Sequence, residues 1–259
     1  MPPKQRPNRV PNRVPRRVVV PGTTHRPNTR LLLGLAAAGA VVAAVVIVLS
    51  LTLGGSDDKT TTTPVTAIAG GSQALVEGIA QHGLVLGNTK AKIVLTEYID
   101  SSCPVCKDYV LTTFPTIVKH YVRPGKIKIE SQVLAFVGPS STRGRQLLLA
   151  AARQDKAWEL AELIYNNQGD EATAWLTDDY ARTLASKIPG LNVDTLFADA
   201  SSAGVQTEAT TADSQAQADN VSGTPTFVLT TKDGKRHLLG AGNPGVAPMV
   251  KVLDRALAG

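Results

Sequence analysis

Cys103-Pro104-Val105-Cys106 holds the only two cysteines of this 259-residue chain. The preceding residues 92–100 are rich in β-branched and apolar side chains, which is typical of a buried strand. In residues 107–122, apolar side chains recur at helical intervals. The pair is therefore predicted at a strand-to-helix junction, where the unpaired N–H groups of a helix start stabilise a thiolate over a thiol. This arrangement predicts redox chemistry at Cys103.

The remaining pattern predicts an α/β domain over residues 72–259. Predicted strands lie at residues 93–99, 127–134, 226–231 and 236–239. Predicted helices lie at residues 72–83, 107–122, 145–153, 156–166, 178–187, 193–200, 204–219 and 246–258. Residues 140–220 lack strand patterning, so we expect a helical segment that separates a βαβ unit from a ββα unit. Pro115 lies inside the first long helix and is expected to bend it.

The N-terminal part differs in composition. Residues 1–30 contain eight Lys and Arg, many prolines and no acidic residue, which predicts a disordered tail. Residues 31–53 are uncharged and apolar or small, and as a helix they would span about 34 Å, against about 30 Å for a bilayer's hydrocarbon core. Positive charge before this run predicts a single-pass anchor with a cytoplasmic N-terminus and an extracytoplasmic domain. Residues 54–71 are predicted to form a flexible tether.

A cleaved signal peptide is the alternative to this anchor. Its apolar region is normally about 7 to 15 residues long and ends at a small-residue cleavage site. The nearest such site here, residues 67–69, lies well past the apolar run. We therefore expect the anchor to be retained.

The net charge of +6 does not indicate nucleic-acid binding. Eight of the 27 Lys and Arg lie in residues 1–30, and the rest of the chain is slightly acidic and poor in aromatic residues. A nucleic-acid site needs a basic folded face with aromatic platforms. Attraction to anionic lipid headgroups is a simpler explanation for the basic tail.

Three features together resemble the DsbA-like thiol-disulfide oxidoreductases of the thioredoxin superfamily. They are Glu97-Tyr-Ile-Asp-Ser-Ser-Cys-Pro-Val-Cys106, the helical segment, and Ser222-Gly-Thr-Pro-Thr-Phe227 at the start of a strand. The resemblance covers about residues 79–259 and points to the extracytoplasmic, membrane-anchored members. It implies a thioredoxin fold with an inserted helical domain, here preceded by one transmembrane helix.

The resemblance implies that Cys103 is the attacking, solvent-facing thiol and Cys106 the buried resolving thiol. The two form a redox-active disulfide, and no other cofactor is needed. The helical geometry agrees, because a residue at the helix start faces solvent whereas one three positions later lies inside the first turn. The resemblance further implies a cis peptide bond before Pro225, with Thr224 facing the disulfide. An extended substrate segment could pair with the Thr224 backbone.

Glu97 resembles the family's buried acidic residue beneath the active site, which implies a proton relay for Cys106. Burial raises a carboxyl pKa toward the range in which the group exchanges protons near neutrality. The alternative is a solvated glutamate on an edge strand. Lys128, or equally Lys126, is a candidate partner for Glu97, and Asp100 is a further candidate near the site.

Pro104 and Val105 shape the site between the cysteines. Strongly oxidising members of the family carry His at the position of Val105, and valine offers neither a donor nor a charge. We therefore expect a less depressed Cys103 pKa and a reduction potential between about −270 mV for thioredoxin and about −120 mV for DsbA. Oxidation, isomerisation and reduction of clients are each compatible with valine at this position.

Two other interpretations of the cysteine pair are less consistent with the sequence. A structural disulfide that closes so small a loop would restrain little of the unfolded chain. A metal site would need His82, His120 or His237, and none of these has ligand spacing to the cysteines or to another histidine. No metal is therefore expected.

These observations predict a membrane-tethered protein thiol-disulfide oxidoreductase that introduces disulfides into exported proteins and acts as a monomer. The resemblance implies a quinone-linked membrane oxidase, DsbB-like or vitamin K epoxide reductase-like, as the partner that reoxidises it. A thiol reductase or isomerase of the same fold is one alternative. A non-catalytic binding protein that uses the fold as a scaffold is another.

Fractionation of cells tests the predicted anchor. The full-length protein is expected in washed membranes, because residues 31–53 are long enough to remain in a bilayer. A variant lacking residues 1–53 is the control and is expected in the soluble fraction, with both proteins followed by immunoblot. A soluble, shortened band from the unaltered protein would contradict a retained anchor.

Overall fold

The computed structural model of the protein describes residues 73–259. The tail predicted at residues 1–30, the anchor at 31–53, the tether at 54–71 and residue 72 lie outside the described residues. Within residues 73–259, no helix combines the length and the apolar character needed to cross a bilayer.

A six-stranded sheet forms the centre of the described domain. Its strands are β1 Gln81–His82, β2 Val85–Leu86, β3 Val94–Asp100, β4 Lys128–Leu134, β5 Thr226–Thr230 and β6 Arg236–Ala241. They lie in the order β1, β2, β4, β3, β5, β6. β3 runs parallel to β4 and antiparallel to β5. A parallel pair needs a crossover connection, and the segment that follows the cysteines provides it.

Helices account for most of the remaining residues that the structure describes. They are α1 Gln73–Val76, α2 Pro104–Thr112, α3 Phe114–Ile117, α4 Ser141–Ala152, α5 Ala157–Asn166, α6 Asp178–Ala185, α7 Val193–Ala200, α8 Ala203–Ala218 and α9 Val246–Ala258. A π-helical turn, Val118–Val122, follows α3. α4 to α8 lie between β4 and β5, so the expected α/β fold with a helical insertion is confirmed.

β3 lies in the interior of the sheet and carries Glu97. Every residue from Leu95 to Asp100 is buried, which suits a strand with a neighbour on each side. The parallel register places Glu97 beside Ser131, and the antiparallel register places it beside Phe227. The alternative that placed Glu97 on a solvated edge strand is therefore wrong.

Pro115 interrupts the helix that follows the cysteines. α2 ends at Thr112, and α3 begins at Phe114 with Pro115 in its first turn. Proline has no N–H to donate to the helical ladder, and its ring clashes with the preceding turn. The continuous helix predicted over residues 107–122 is thus divided into short pieces.

The helix predicted over residues 72–83 is wrong beyond Val76. Gly78 and Gly83 have φ of 72° and 62°, a left-handed conformation in which glycine turns the chain without steric cost. The segment that contains them forms the β1–β2 hairpin, and β2 pairs antiparallel with β4. This pairing satisfies backbone groups along the edge of β4, a tertiary requirement that helical periodicity does not report.

The helical insertion packs closely against the loop before the cysteines at a glycine of α4. Gly144 lies in α4, and a Cβ added there would come within 1.9 Å of Ser101 Oγ and 2.5 Å of Ser101 Cβ. Ser101 is itself fully buried and lies two residues before Cys103. α4 can therefore contact this loop only because residue 144 has no side chain.

Gly144→Ala is expected to lower the free energy of unfolding by about 1–3 kcal/mol, because overpacking against a fixed buried residue outweighs the helix propensity gained. Gly204→Ala in α8 is the matched control. The Cβ added there meets the flexible guanidinium of Arg153, which can move away, so stability is expected to change little or to rise. Urea unfolding followed by circular dichroism measures both, and an unchanged stability of Gly144→Ala would contradict this packing.

Candidate active site

Cys103 caps the N-terminus of α2. Its backbone is extended, with φ of −77° and ψ of 119°, and its Sγ accepts a hydrogen bond from the N–H of Cys106 at 3.3 Å. Pro104 takes the first helical position, where the missing N–H would have no partner in the helix. The strand-to-helix junction predicted from the sequence is confirmed.

Asp100 holds the loop that leads into the cysteines. Its buried carboxyl accepts four hydrogen bonds, from the N–H of Ser102 at 2.9 Å, the hydroxyl of Ser141 at 2.7 Å, and the N–H groups of Phe136 at 2.8 Å and Val137 at 3.0 Å. These bonds tie the end of β3 to the loop after β4 and to the first turn of α4. Asp100 therefore positions the start of α2 through backbone contacts.

Cys103 is less accessible than the sequence predicts. Cys106 is fully buried, but Cys103 is itself only 4% exposed, so the expectation of a solvent-facing thiol is wrong. The Cys103 thiol donates a hydrogen bond to the carbonyl oxygen of Thr224 at 3.2 Å, so the chain just before β5 covers the sulfur. Pro104 and Val105 are exposed and form the outer surface beside the thiol.

The Thr224-Pro225 peptide bond is cis, as the resemblance implies. Thr224 contacts Cys103 although the two residues are 121 positions apart in the chain. Its side-chain hydroxyl also lowers the pKa of both thiols. The distant Thr-Pro motif and the cysteine pair thus form one site.

The two thiols differ strongly in acidity. The Cys103 pKa is lowered from 9.0 to about 6, and the largest cause is a hydrogen bond from the Cys106 thiol. The backbone N–H groups of Cys106 and Val105 lower the pKa further, whereas burial raises it. Burial raises the pKa of Cys106 well above its ordinary value, and the hydrogen bond and charge of Cys103 raise it further. At neutral pH one sulfur is therefore a thiolate while its partner remains a thiol.

Glu97 is buried beneath this pair, with 2% of its surface exposed. Burial raises its pKa to about 7, although the hydrogen bond from the Tyr109 hydroxyl lowers it. The Tyr109 hydroxyl donates to Glu97 Oε2 at 2.9 Å. Burial raises the pKa of Tyr109 well above its ordinary value, and the charges of Glu97 and Cys106 add to this, so the tyrosine lies near both groups. The predicted burial of Glu97 is confirmed.

The lysine partner predicted for Glu97 is wrong. Lys128 Nζ lies 2.9 Å from Glu130 Oε1 on its own strand, and Lys126 Nζ lies 5.5 Å from the centroid of the Tyr121 ring. The register places Ser131 beside Glu97. Lys128 is three residues away from Ser131 and so points to the opposite face of the sheet.

Sequence reasoning missed two residues of the site. Tyr109 lies three positions after Cys106, on the same face of α2, so helical spacing could have identified it. Gln168 follows α5, and its Nε2 donates to the carbonyl oxygens of Ser101 at 2.8 Å and Cys103 at 3.1 Å. No local pattern points to Gln168, because only the folding of the insertion brings it to the loop.

The site and the fold together define a class of protein. A family model described as Thioredoxin matches residues 80–238, which is more than half of the chain. The chain therefore belongs to the thioredoxin family.

Curated relatives of the chain include disulfide bond formation proteins. It is similar to the probable disulfide bond formation protein D of Bacillus cereus, with 26% identity over 175 residues that cover 66% of this chain and 77% of the relative. Disulfide bond formation protein D of Bacillus subtilis is 27% identical over 118 residues, which cover 43% of this chain and 51% of the relative. The expected class, a DsbA-like thiol-disulfide oxidoreductase, is confirmed.

Solved structures are similar to the described fold. Oxidised BdbD from Bacillus subtilis matches with a TM-score of 0.61 and 21% identity over 69% of this chain and 94% of that structure. DsbA from Chlamydia trachomatis matches with a TM-score of 0.57 and 22% identity over 68% of this chain and 92% of that structure. Both similarities cover the sheet and the helical insertion as one fold.

Alkylation of Cys103 tests the origin of its acidity. In the reduced protein, the rate of reaction with iodoacetamide is expected to rise with pH through a midpoint near 6, because only the thiolate reacts. Cys106→Ala removes the main hydrogen-bond donor, so the midpoint is expected to move upward. Val105→Ala keeps the backbone N–H and should leave the midpoint unchanged. Mass spectrometry of the labelled protein measures the rates, and an unshifted midpoint in Cys106→Ala would contradict this explanation.

Proposed function

We propose that this protein is a membrane-tethered, extracytoplasmic oxidase that introduces disulfides into exported proteins through Cys103 and Cys106. The observation that carries the proposal is the position of Cys103 Sγ at the start of α2, where it accepts a hydrogen bond from the N–H of the fully buried Cys106. Stabilisation of the Cys103 thiolate favours the reduced form of the pair, and a stabilised reduced form makes the corresponding disulfide a better oxidant. This property suits a donor of disulfides.

In the proposed cycle the protein begins with a Cys103–Cys106 disulfide. A client thiolate attacks Cys103 Sγ, the bond between the two cysteines breaks, and Cys106 leaves with the electron pair and takes up a proton. A second client thiolate then attacks the client sulfur of the mixed disulfide and releases Cys103 as a thiolate. The client loses two electrons, which the two cysteines of the enzyme retain.

Glu97 is the proposed proton donor to Cys106. A leaving thiolate with a raised pKa needs a nearby acid, and a buried carboxyl with a pKa of about 7 can supply and recover a proton near neutrality. Tyr109 orients the carboxyl through its hydrogen bond to Oε2. Asp100 is proposed to hold the loop before Cys103 in place during the cycle.

The surface around Cys103 is the proposed client site. An extended client segment would pair with the backbone near Thr224 and Pro225, while the exposed Pro104 and Val105 contact its side chains. Main-chain pairing accepts many sequences, which an enzyme with many clients requires. Val105 offers no charge to the thiolate, so the proposed potential lies between about −270 and about −120 mV.

The remaining parts of the proposal concern the membrane. Residues 31–53 would hold the domain on the extracytoplasmic side, where its clients emerge. Each cycle leaves both cysteines reduced, so an electron acceptor must reoxidise them. A quinone-linked membrane oxidase, DsbB-like or vitamin K epoxide reductase-like, is the proposed partner, and the disulfide itself is the only redox group required of this chain.

Refolding of a reduced protein with several disulfides tests the direction of the chemistry. The oxidised enzyme is expected to accelerate disulfide formation, and Cys103→Ser is expected to abolish the effect because it removes the sulfur that clients attack. Lys251→Gln changes an exposed residue on α9, keeps both thiols and serves as the control. Equilibration with glutathione gives the potential of the pair.

Each alternative gives a different outcome in the same assays. Reduction of insulin without oxidase activity, or a potential near that of thioredoxin, would replace the oxidase with a reductase. Rearrangement of incorrect disulfides without net oxidation would indicate an isomerase. Activity that does not depend on either cysteine would indicate a binding protein that uses the fold as a scaffold.

A further inference from the structure

The turn after β6 connects the segment before β5 to helix α2. The N–H of Gly242 donates to the carbonyl oxygen of Pro225 at 2.7 Å, so the turn begins beside the Thr224-Pro225 segment. The next residue, Asn243, is half-buried and directs its side-chain amide at the C-terminal part of α2. Two consecutive residues thus contact the two parts of the chain that meet at Cys103.

The amide of Asn243 makes four hydrogen bonds. Its Nδ2 donates to Asp108 Oδ2 at 2.7 Å and to Thr112 Oγ1 at 3.1 Å. Its Oδ1 accepts from the hydroxyl of Thr113 at 2.9 Å and from the N–H of Gly245 at 3.0 Å. A side-chain amide has two donor hydrogens and two acceptor lone pairs, so all of its bonding capacity is used. The amide is therefore held in one orientation between α2 and its own turn.

Helix α2 also contacts β5 through two aromatic rings. The centroids of the Tyr109 and Phe227 rings lie 4.7 Å apart. Apolar burial is less directional than hydrogen bonding, so this contact holds α2 close to the sheet but leaves its tilt adjustable. α2 has nine residues and is about 13 Å long, with Cys103 before its first residue and Thr113 after its last. A bond at the Thr113 end therefore limits a tilt that would also move Cys103.

The contact between Cys103 and Thr224 is sensitive to such a movement. Cys103 Sγ lies 3.2 Å from the carbonyl oxygen of Thr224, and the Thr224 hydroxyl lowers the pKa of the Cys103 thiol. Hydrogen bonds weaken steeply outside a narrow range of distance and angle. The position of α2 relative to the chain before β5 therefore decides how well Thr224 stabilises the thiolate.

We propose that Asn243 is a positioning residue that holds α2 against the Thr224-Pro225 segment and so maintains the contact between Cys103 and Thr224. The inference rests on the proposed function, because this contact forms part of the surface at which a client attacks Cys103. Asn243 acts through its bonds to the C-terminal part of α2. Its amide supplies the directional constraint that the aromatic contact lacks.

Removal of the amide tests this role. In reduced Asn243→Ala, the midpoint of Cys103 alkylation by iodoacetamide is expected to rise by about half a pH unit or more, because Thr224 stabilises the thiolate less well. Asn192→Ala is the matched control, since Asn192 caps α7 by accepting a hydrogen bond from the N–H of Thr195 at 2.9 Å. It is expected to lower stability without moving the midpoint. Peptide mapping by mass spectrometry assigns the label to Cys103.

An exchanged pair tests the bond between Asn243 and Asp108. Asn243→Asp keeps the shape of the side chain but places a second carboxylate against that of Asp108, so the midpoint is expected to rise. Adding Asp108→Asn to the same chain returns an amide donor to the pair and restores the net charge. The midpoint of this double variant is therefore expected to move back toward that of the unaltered protein.

Several results would overturn the proposal. They are an unchanged midpoint in Asn243→Ala, an equal rise in Asn192→Ala, and a double variant that behaves like Asn243→Asp alone. If Asn243→Ala does not fold, Thr113→Val removes one of the same bonds and keeps the shape of a fully buried side chain. A smaller rise of the midpoint is expected there, and an unchanged midpoint would contradict the positioning role.

The outcome is distinguishable from failure of the proposed function. Alkylation of the reduced protein does not depend on whether the protein oxidises, reduces or isomerises client disulfides. A raised midpoint in Asn243→Ala, together with no acceleration of client refolding by the unaltered protein, would contradict the oxidase and support the positioning role. Accelerated refolding with an unchanged midpoint in Asn243→Ala would do the reverse.

Discussion

The sulfur of Cys103 accepts hydrogen bonds from the groups of the first turn of α2, and the chemistry of the protein depends on this interaction. The thiol and the N–H of Cys106 are both directed at the sulfur, and burial alone would have raised its pKa. Four hydrogen bonds to Asp100 and two from Gln168 hold the loop that delivers Cys103 to the helix start. These bonds therefore hold the Cys103 sulfur in contact with its hydrogen-bond donors.

The same geometry gives the two cysteines opposite properties. The donor that acidifies Cys103 is the thiol of Cys106, so each thiol influences the proton of the other. Cys106 is fully buried, so its thiol has no direct contact with solvent. The dithiol therefore combines one acidic sulfur with one buried thiol whose pKa is raised.

The buried carboxyl of Glu97 lowers the stability of the folded protein at neutral pH. The pKa of Glu97 is raised from 4.5 to about 7, so the folded chain holds its proton more tightly than the unfolded chain does. Stability from this group is full below the unfolded pKa and is lost as pH rises through about 7, to the extent of roughly 3 kcal/mol. An apolar side chain would pack at this position without this cost, so packing alone does not explain the presence of a carboxyl. This cost is consistent with the proposed role of Glu97 in proton exchange.

The amino-acid sequence by itself determined four of the six strands, most of the helices and the strand-to-helix junction at Cys103. These features depend on periodicity and on residue types within a few positions of one another, which the chain carries wherever it lies. Only the tertiary structure decided that Thr224 covers Cys103, that Tyr109 rather than Lys128 bonds Glu97, and that Gln168 donates to the carbonyl oxygens of the loop before α2. Those contacts join segments that packing brings together, and the face and register of each partner are set by the whole sheet and the insertion.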